Sequence, residues 1–128
     1  MAVPLNIIKP GDSHSELSGA AIGQYDCVIY SAEGKVVKSD GTNKRGVGFM
    51  HTGKATAANE HIDVFTSGIV WARAAAAVTA GAELETAADG EVQDAGVGDF
   101  IVGIAKTAAA GANELVAVQI ELYEKAAS

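Results

Sequence analysis

Apolar and polar residues alternate along many short stretches of this chain, and turns that contain glycine separate the stretches. A period of two residues is typical of a β-strand with one buried face. The clearest case lies near the C-terminus, where Val116, Val118, Ile120 and Leu122 form a purely aliphatic face that we expect to be core. The pattern predicts strands near residues 25–31, 34–38, 46–51, 61–66, 69–74, 82–87, 91–94, 100–106 and 115–122.

This succession of strands and turns occurs twice, from about residue 23 to 70 and again from about 81 to 122. Each copy begins with a hairpin whose turn ends in glycine, a strong hairpin signal. We therefore predict an all-β fold with little helix, namely a small antiparallel β-sandwich or barrel built from two related hairpin repeats. The matching segments are Glu33-Gly34 with Asp89-Gly90, Val47-Gly48-Phe49 with Val102-Gly103-Ile104, and Asn59-Glu60 with Asn113-Glu114.

An alanine-rich segment from Trp71 to Gly90 is the one place where residue propensity favours helix, because alanine is the best helix former. The repeat predicts otherwise, since it places a turn at 78–81 and a strand around Leu84. A short helical turn at 74–77 is compatible with both interpretations. Alanine on a strand also gives a flat surface that suits close packing against a neighbour.

The stretch from Gly48 to Thr56 has the glycine and Gly53-Lys54 spacing of a phosphate-binding loop. Such a loop needs Ser or Thr directly after the lysine to ligate Mg²⁺, and this chain has Ala55 there. The second copy of the repeat has no Gly-Lys at the matching position. We therefore predict an exposed linker between two strands and no nucleotide site.

Composition and charge exclude several classes of function. A formal charge of −7 argues against nucleic-acid binding, and no apolar run is long enough for a membrane helix. The N-terminus lacks a signal-peptide pattern, so we expect synthesis in the cytoplasm. The single Cys27 has no cysteine partner, and His14, His51 and His61 lack metal-ligand spacing. We expect no metal, no cofactor and no enzymatic activity.

The second copy resembles the capsid cement, or head-decoration, proteins of tailed bacteriophages, some of which carry a recombinase-like label. That family has a Thr-Ala-Gly turn, a strand with a glycine between apolar residues, an Ala/Gly loop and a closing alternating strand. The opening Pro-Gly-Asp segment is similar as well, and the resemblance covers most of the chain. The residues that carry it are Thr79-Ala80-Gly81, 101–105, 108–113, 116–120 and Pro10-Gly11-Asp12.

The resemblance implies a structural virion protein on the capsid exterior. Such a protein binds the outer surface of the expanded major capsid lattice and stabilises the head against the pressure of packaged DNA. Its partners would be the major capsid protein and further copies of itself, with a trimer favoured and a dimer possible. The alternative is a β-rich adhesion or carbohydrate-binding module, for which the aromatic content of 5% is low.

Residues 1–19 lie outside the repeat and are predicted to form an extended N-terminal arm, followed by a β domain over 20–128. Leaving Leu5, Ile7 and Ile8 exposed is costly, because burying each contributes roughly 1.5–3 kcal/mol. They form either an edge strand on the protein's own core or a strand added to a capsid subunit or a neighbouring copy. The predicted contact residues are Leu5, Ile7, Ile8, Lys9 and Trp71.

Overall fold

The computed structural model describes residues 8–51, 53–96 and 98–124. These residues form eleven strands and one short 3₁₀ turn at Ala88–Gly90. The all-β prediction is confirmed, and the nine strands that the alternation predicts are all present. The strands are β1 Lys9–Pro10, β2 Ser13–Leu17, β3 Cys27–Tyr30, β4 Val36–Lys38, β5 Gly46–Phe49, β6 His61–Phe65, β7 Gly68–Arg73, β8 Glu83–Thr86, β9 Val92–Asp94, β10 Phe100–Ala105 and β11 Leu115–Glu124.

Two antiparallel sheets pack against each other, so the sandwich and not the closed barrel is correct. One sheet has the order β2-β6-β5-β3-β4, and the other has the order β1-β7-β11-β10-β8-β9. Apart from β1, the second order repeats the first strand for strand. We call residues 13–65 the first unit and residues 68–124 the second unit.

The bridges outside the strands repeat in the same way. A parallel bridge joins Ser18 to Val36 in the first unit and Ala74 to Val92 in the second. An antiparallel bridge joins Ile22 to Ala55 in the first unit, and its counterpart joins Val78 to Ala109 in the second. Because both bridges join residues of the same unit at equivalent positions, the chain follows the same course in the two repeats.

The repeated Asn-Glu pair has a local cause in each unit. Asn59 and Asn113 both adopt a left-handed backbone, with φ of 68° and 69°, which asparagine tolerates better than most residues. The carboxylate of Glu60 accepts a hydrogen bond from the Thr56 amide at 3.1 Å, and that of Glu114 accepts one from the Ala110 amide at 3.3 Å. The pair thus ends each linker and starts the strand that follows.

The N-terminal segment departs from the sequence prediction. Residues 13–17 belong to the predicted arm, but in the structure they form β2, which pairs along its whole length with β6. Strand β2 carries Ser-His-Ser-Glu-Leu and is mostly exposed, so no apolar alternation marks it. The segment before it pairs with the chain's own second sheet, through Lys9 opposite Ile69 and Pro10 opposite Gly68.

The alanine-rich segment contains no α-helix in the described residues, and its helical content is the 3₁₀ turn at Ala88–Gly90. Ala74 lies in the bridge to Val92, and Trp71 belongs to β7. The hairpin turn at Asp89-Gly90 has left-handed φ values of 61° and 73°. A Cβ at Gly90 would overlap the Asp26 side chain of the other unit, so a larger residue would push the units apart there.

Each unit buries an aliphatic cluster at matching positions. The cluster of the second unit also receives Cys27 and Phe49 from the first unit, and these two side chains are fully buried. They join the two sheets into one core. The matching buried pairs are Val28 with Leu84, Val36 with Val92, Ile62 with Val116, and Val64 with Val118.

A polar strap, residues 39–45, fastens the first unit to the second. The Ser39 hydroxyl donates to the Ala87 carbonyl at 2.7 Å, and the Gly90 amide donates to the Ser39 carbonyl at 2.9 Å. The Thr86 hydroxyl accepts from the Lys44 amide and donates to the Gly41 carbonyl, both at 2.9 Å. This strap shapes one wall of the groove described below.

Candidate functional site

The predicted contact residues are placed as follows. Leu5 and Ile7 lie outside the described residues, and Ile8 is half-buried just before β1. Lys9 is exposed and pairs with Ile69 at the edge of the second sheet. Trp71 is half-buried on the adjacent strand β7, opposite Ala117. The structure therefore brings Lys9 and Trp71 to the same sheet edge.

The polar residues considered for chemistry are separate from one another. Lys54 is exposed in the linker between β5 and β6, and no helix follows it. Cys27 is fully buried, and burial together with the Asp26 charge raises the pKa of its thiol, which is therefore not a ready nucleophile. Within the described ranges no group of three or more His, Cys, Asp or Glu side chains is arranged to hold a metal ion, and no helix is long and apolar enough to cross a membrane.

A partly apolar groove lies beside the first sheet, where the end of β11 meets β5. Its larger part has a volume of about 830 Å³ and is lined by Ile29, Tyr30, Val37, Val47 and Leu122, among others. An adjoining depression of about 200 Å³ is lined by Arg45, Phe100, Leu122 and Tyr123, among others. The two parts share Arg45, Gly46 and Leu122, so we treat them as one groove.

Two tyrosines at the groove are anchored to carboxylates. The Tyr30 hydroxyl donates to Glu16 at 2.6 Å, and the Tyr123 hydroxyl donates to Glu83 at 2.6 Å. The hydrogen bond to Glu16 raises the pKa of Tyr30, while burial and the bond to Glu83 raise the pKa of Tyr123 to about 12. Both phenols therefore remain protonated, with their rings held in place at the surface.

The rim of the groove carries two cations, Lys44 and Arg45, and one carboxylate, Asp40, although the whole chain is acidic. The Arg45 guanidinium lies over the Phe100 ring at 5.0 Å from the centroid, a cation–π arrangement. Among the described residues, Lys44 has one carboxylate within 4.0 Å, Asp40 at 3.8 Å, and both side chains are exposed. Arg73, by contrast, bonds to the buried Asp26 at 2.5 Å in the seam between the units.

Sequence patterns do not reveal this groove because its residues come from distant parts of the chain. Strands β3 and β4 supply the floor, the strap supplies the basic rim, and β11 supplies Leu122. Leu122 was predicted to be core from the alternating pattern, but it is 42% exposed. The available signal was the cluster Lys44-Arg45 beside the alternating apolar residues of β5.

Comparison of the sequence with protein-family models and with curated proteins gives no match. Among solved structures, the chain is similar to the N base of the head fiber gp8.5 of bacteriophage phi29, with a TM-score of 0.70. The alignment covers 88% of this chain and 96% of that chain, at 14% sequence identity. At this identity the similarity shows a shared fold.

Proposed function

We propose that this chain is a structural virion protein of a tailed bacteriophage, which binds the outer surface of the expanded major capsid lattice and stabilises the head against the pressure of packaged DNA. The observation that supports it is the fold shared with a phage head-fiber base over 88% of the chain. The sequence motifs that resemble capsid cement proteins point to the phage head on separate grounds.

Such a small domain would stabilise a capsid in two ways. A protein that touches two capsid subunits makes its second contact at high effective concentration, so weak contacts add up to strong attachment. Binding to the expanded lattice alone stabilises that lattice by mass action. A homo-oligomer, with a trimer favoured, would strengthen attachment further because each copy contributes its own contact.

We further propose that the N-terminal arm takes part in attachment. Lys9 and Trp71 lie at one edge of the second sheet, where Lys9 already pairs with Ile69. Residues 1–7 precede this edge and carry the apolar Leu5 and Ile7. An apolar segment next to a sheet edge is suited to adding a strand to a capsid subunit or a neighbouring copy.

The direct test is co-sedimentation with purified capsids of the phage that encodes the chain. We expect the protein to pellet with expanded capsids and not with unexpanded ones, and to raise the temperature at which heads release DNA. A protein that stays in the supernatant in both cases contradicts the proposal. Deletion of residues 1–7 should weaken co-sedimentation and leave the melting temperature of the free protein unchanged, with Lys54→Ala as the control variant.

A second candidate is a β-rich adhesion or carbohydrate-binding module. The observation in its favour is the pair of exposed tyrosines, Tyr30 and Tyr123, each beside a carboxylate. Aromatic rings and carboxylates together can hold a sugar ring. A glycan array separates the two candidates, because specific glycan binding without capsid binding favours the module. We propose no catalytic role for the chain.

A further inference from the structure

Exposed apolar side chains are concentrated at the groove. The large hydrophobic side chains that are exposed in the described part of the chain are Tyr30, Leu115, Leu122 and Tyr123, at 53%, 39%, 42% and 40%. Three of these four line the groove, and Leu115 is the exception. Because scattered single residues are normal but clusters are not, this surface is expected to be covered by a partner.

The apolar floor of the groove depends on the side chains of the first unit and not on the fold. Ile29 and Val37 form part of its lining, and their counterparts in the second unit are Glu85 and Gln93. Those counterparts bond to each other, with the Gln93 amide donating to Glu85 at 2.7 Å. The same backbone therefore accommodates polar residues at these positions, so folding alone does not require the apolar surface.

The charge at the rim indicates what kind of partner fits. Arg45 has no carboxylate within 4.0 Å among the described residues, although acidic residues outnumber basic ones by 16 to 9. Its guanidinium is held over Phe100, at the junction of the two parts of the groove. A guanidinium in this position is suited to bind a carboxylate through two parallel hydrogen bonds.

We propose that the groove binds an extended segment of another virion protein that carries alternating apolar and acidic side chains. Apolar side chains would enter the larger part, between Tyr30 and Leu122, and a carboxylate would meet Arg45 and Lys44. Because the two adjoining depressions share Arg45, Gly46 and Leu122, an extended chain can occupy both at once. This inference rests on the proposed function for the source of the partner, but the chemistry of the ligand follows from the groove itself.

The test uses the full-length protein and fluorescent peptides with blocked ends, each of about eight residues and so roughly 26 Å long when extended. The three probes alternate valine with glutamate, valine with lysine, and serine with glutamate. We expect saturable binding of the valine–glutamate peptide in fluorescence anisotropy, and binding at least about tenfold weaker for the other two. Equal binding of all three, or no binding of the first, overturns the inference.

Variants identify the surface that binds. Leu122→Ser and Leu115→Ser are a matched pair, because both residues lie on β11 and are about equally exposed, but only Leu122 lines the groove. We expect Leu122→Ser and Arg45→Gln each to weaken binding of the valine–glutamate peptide about tenfold, and Leu115→Ser to leave it unchanged. Equal loss in the two leucine variants contradicts the assignment to the groove.

Two further measurements separate the occupants. If Leu122→Ser abolishes self-association in sedimentation velocity and no peptide binds, the groove holds a second copy and the inference is wrong. If glycans bind and Arg45→Gln leaves that binding intact, the groove is a sugar site and the inference is also wrong. Peptide binding is measured without capsids, so its failure is distinguishable from a failure of the capsid co-sedimentation test.

Discussion

The first and second units follow the same strand order, yet they differ at equivalent positions on one face. Inward positions are aliphatic in both, as Val28 and Leu84 illustrate. On the opposite face the first unit has Ile29 where the second has Glu85. Each sheet must bury its own inner face in order to fold, so the inner positions are alike. The residues on the opposite face depend on what lies against each unit there, and on that face the two units differ.

A substitution where the two units pack together should have the largest effect on stability. Phe49 belongs to the first sheet, but it is fully buried in the cluster of the second unit. Phe49→Ala removes a large side chain from a packed core, and we expect it to lower the free energy of unfolding by about 3–5 kcal/mol. Urea unfolding followed by tryptophan fluorescence, with Trp71 as the probe, measures this.

Matched variants in the two clusters test whether the units unfold together. Val28→Ala lies in the cluster of the first unit and Leu84→Ala in that of the second. A single transition in both variants, seen by fluorescence and by circular dichroism, would show that the units unfold together. Two separate transitions would show that the join through Phe49 is weaker than we expect.

The seam ion pair should give the next largest effect. The carboxylate of Asp26 is buried and accepts bonds from Arg73 at 2.5 Å and from the Gly23 amide at 2.7 Å. Arg73→Met leaves this carboxylate buried with one partner fewer, so we expect a loss of about 2 kcal/mol, below the value for a fully buried pair because Arg73 is partly exposed.

The double variant in which Asp26→Asn accompanies Arg73→Met provides the control for the seam. Removing the charge of Asp26 as well should recover part of the lost stability, since no unpaired charge then remains in the interior. A double variant that is less stable than Arg73→Met by a further full increment would argue that the pair is not coupled.

Sequence patterns predicted what depends on local alternation, and they missed what depends on assembly. Nine strands followed from apolar residues at every second position, because each has one buried face. Strand β2 does not show this alternation because four of its five residues are polar and it lies at a sheet edge. The groove could not be predicted because residues of β3, β5 and β11 meet only once the units have packed. Leu122 continues the alternating pattern of Val118 and Ile120, but those two residues are buried and Leu122 is exposed.

Replacing Glu85 should have a smaller effect on stability, and this effect depends on pH. Burial raises the pKa of Glu85, and the nearby Asp99 raises it further. An acid whose pKa is higher in the folded state binds its proton more tightly there, so stability falls as pH rises above the unfolded value of about 4.5. We expect Glu85→Gln to be more stable than the parent at pH 7 and equally stable at pH 4, as judged by urea midpoints.

The contrast with the first unit gives the control for Glu85. Ile29 occupies the equivalent position and carries no charge, so Ile29→Val should change stability by the same amount at both pH values. A parent protein whose stability does not fall between pH 4 and pH 7 relative to Glu85→Gln would show that the carboxyl group is not penalised by folding. The slope of the free energy of unfolding against pH separates the effect of the Glu85 charge from a change in packing.

The smallest effect is expected in the linkers, where the two units differ most visibly in sequence. The first linker contains Gly53-Lys54 and the second does not, yet both make the same bridge, through Ala55 to Ile22 and through Ala109 to Val78. Lys54 is exposed and forms no ion pair with the described residues. Lys54→Ala should therefore change the free energy of unfolding by less than about 0.5 kcal/mol, and it should leave capsid and peptide binding unchanged. ATP binding that disappears in this variant, measured by isothermal titration calorimetry, would contradict the assignment of this stretch as a linker.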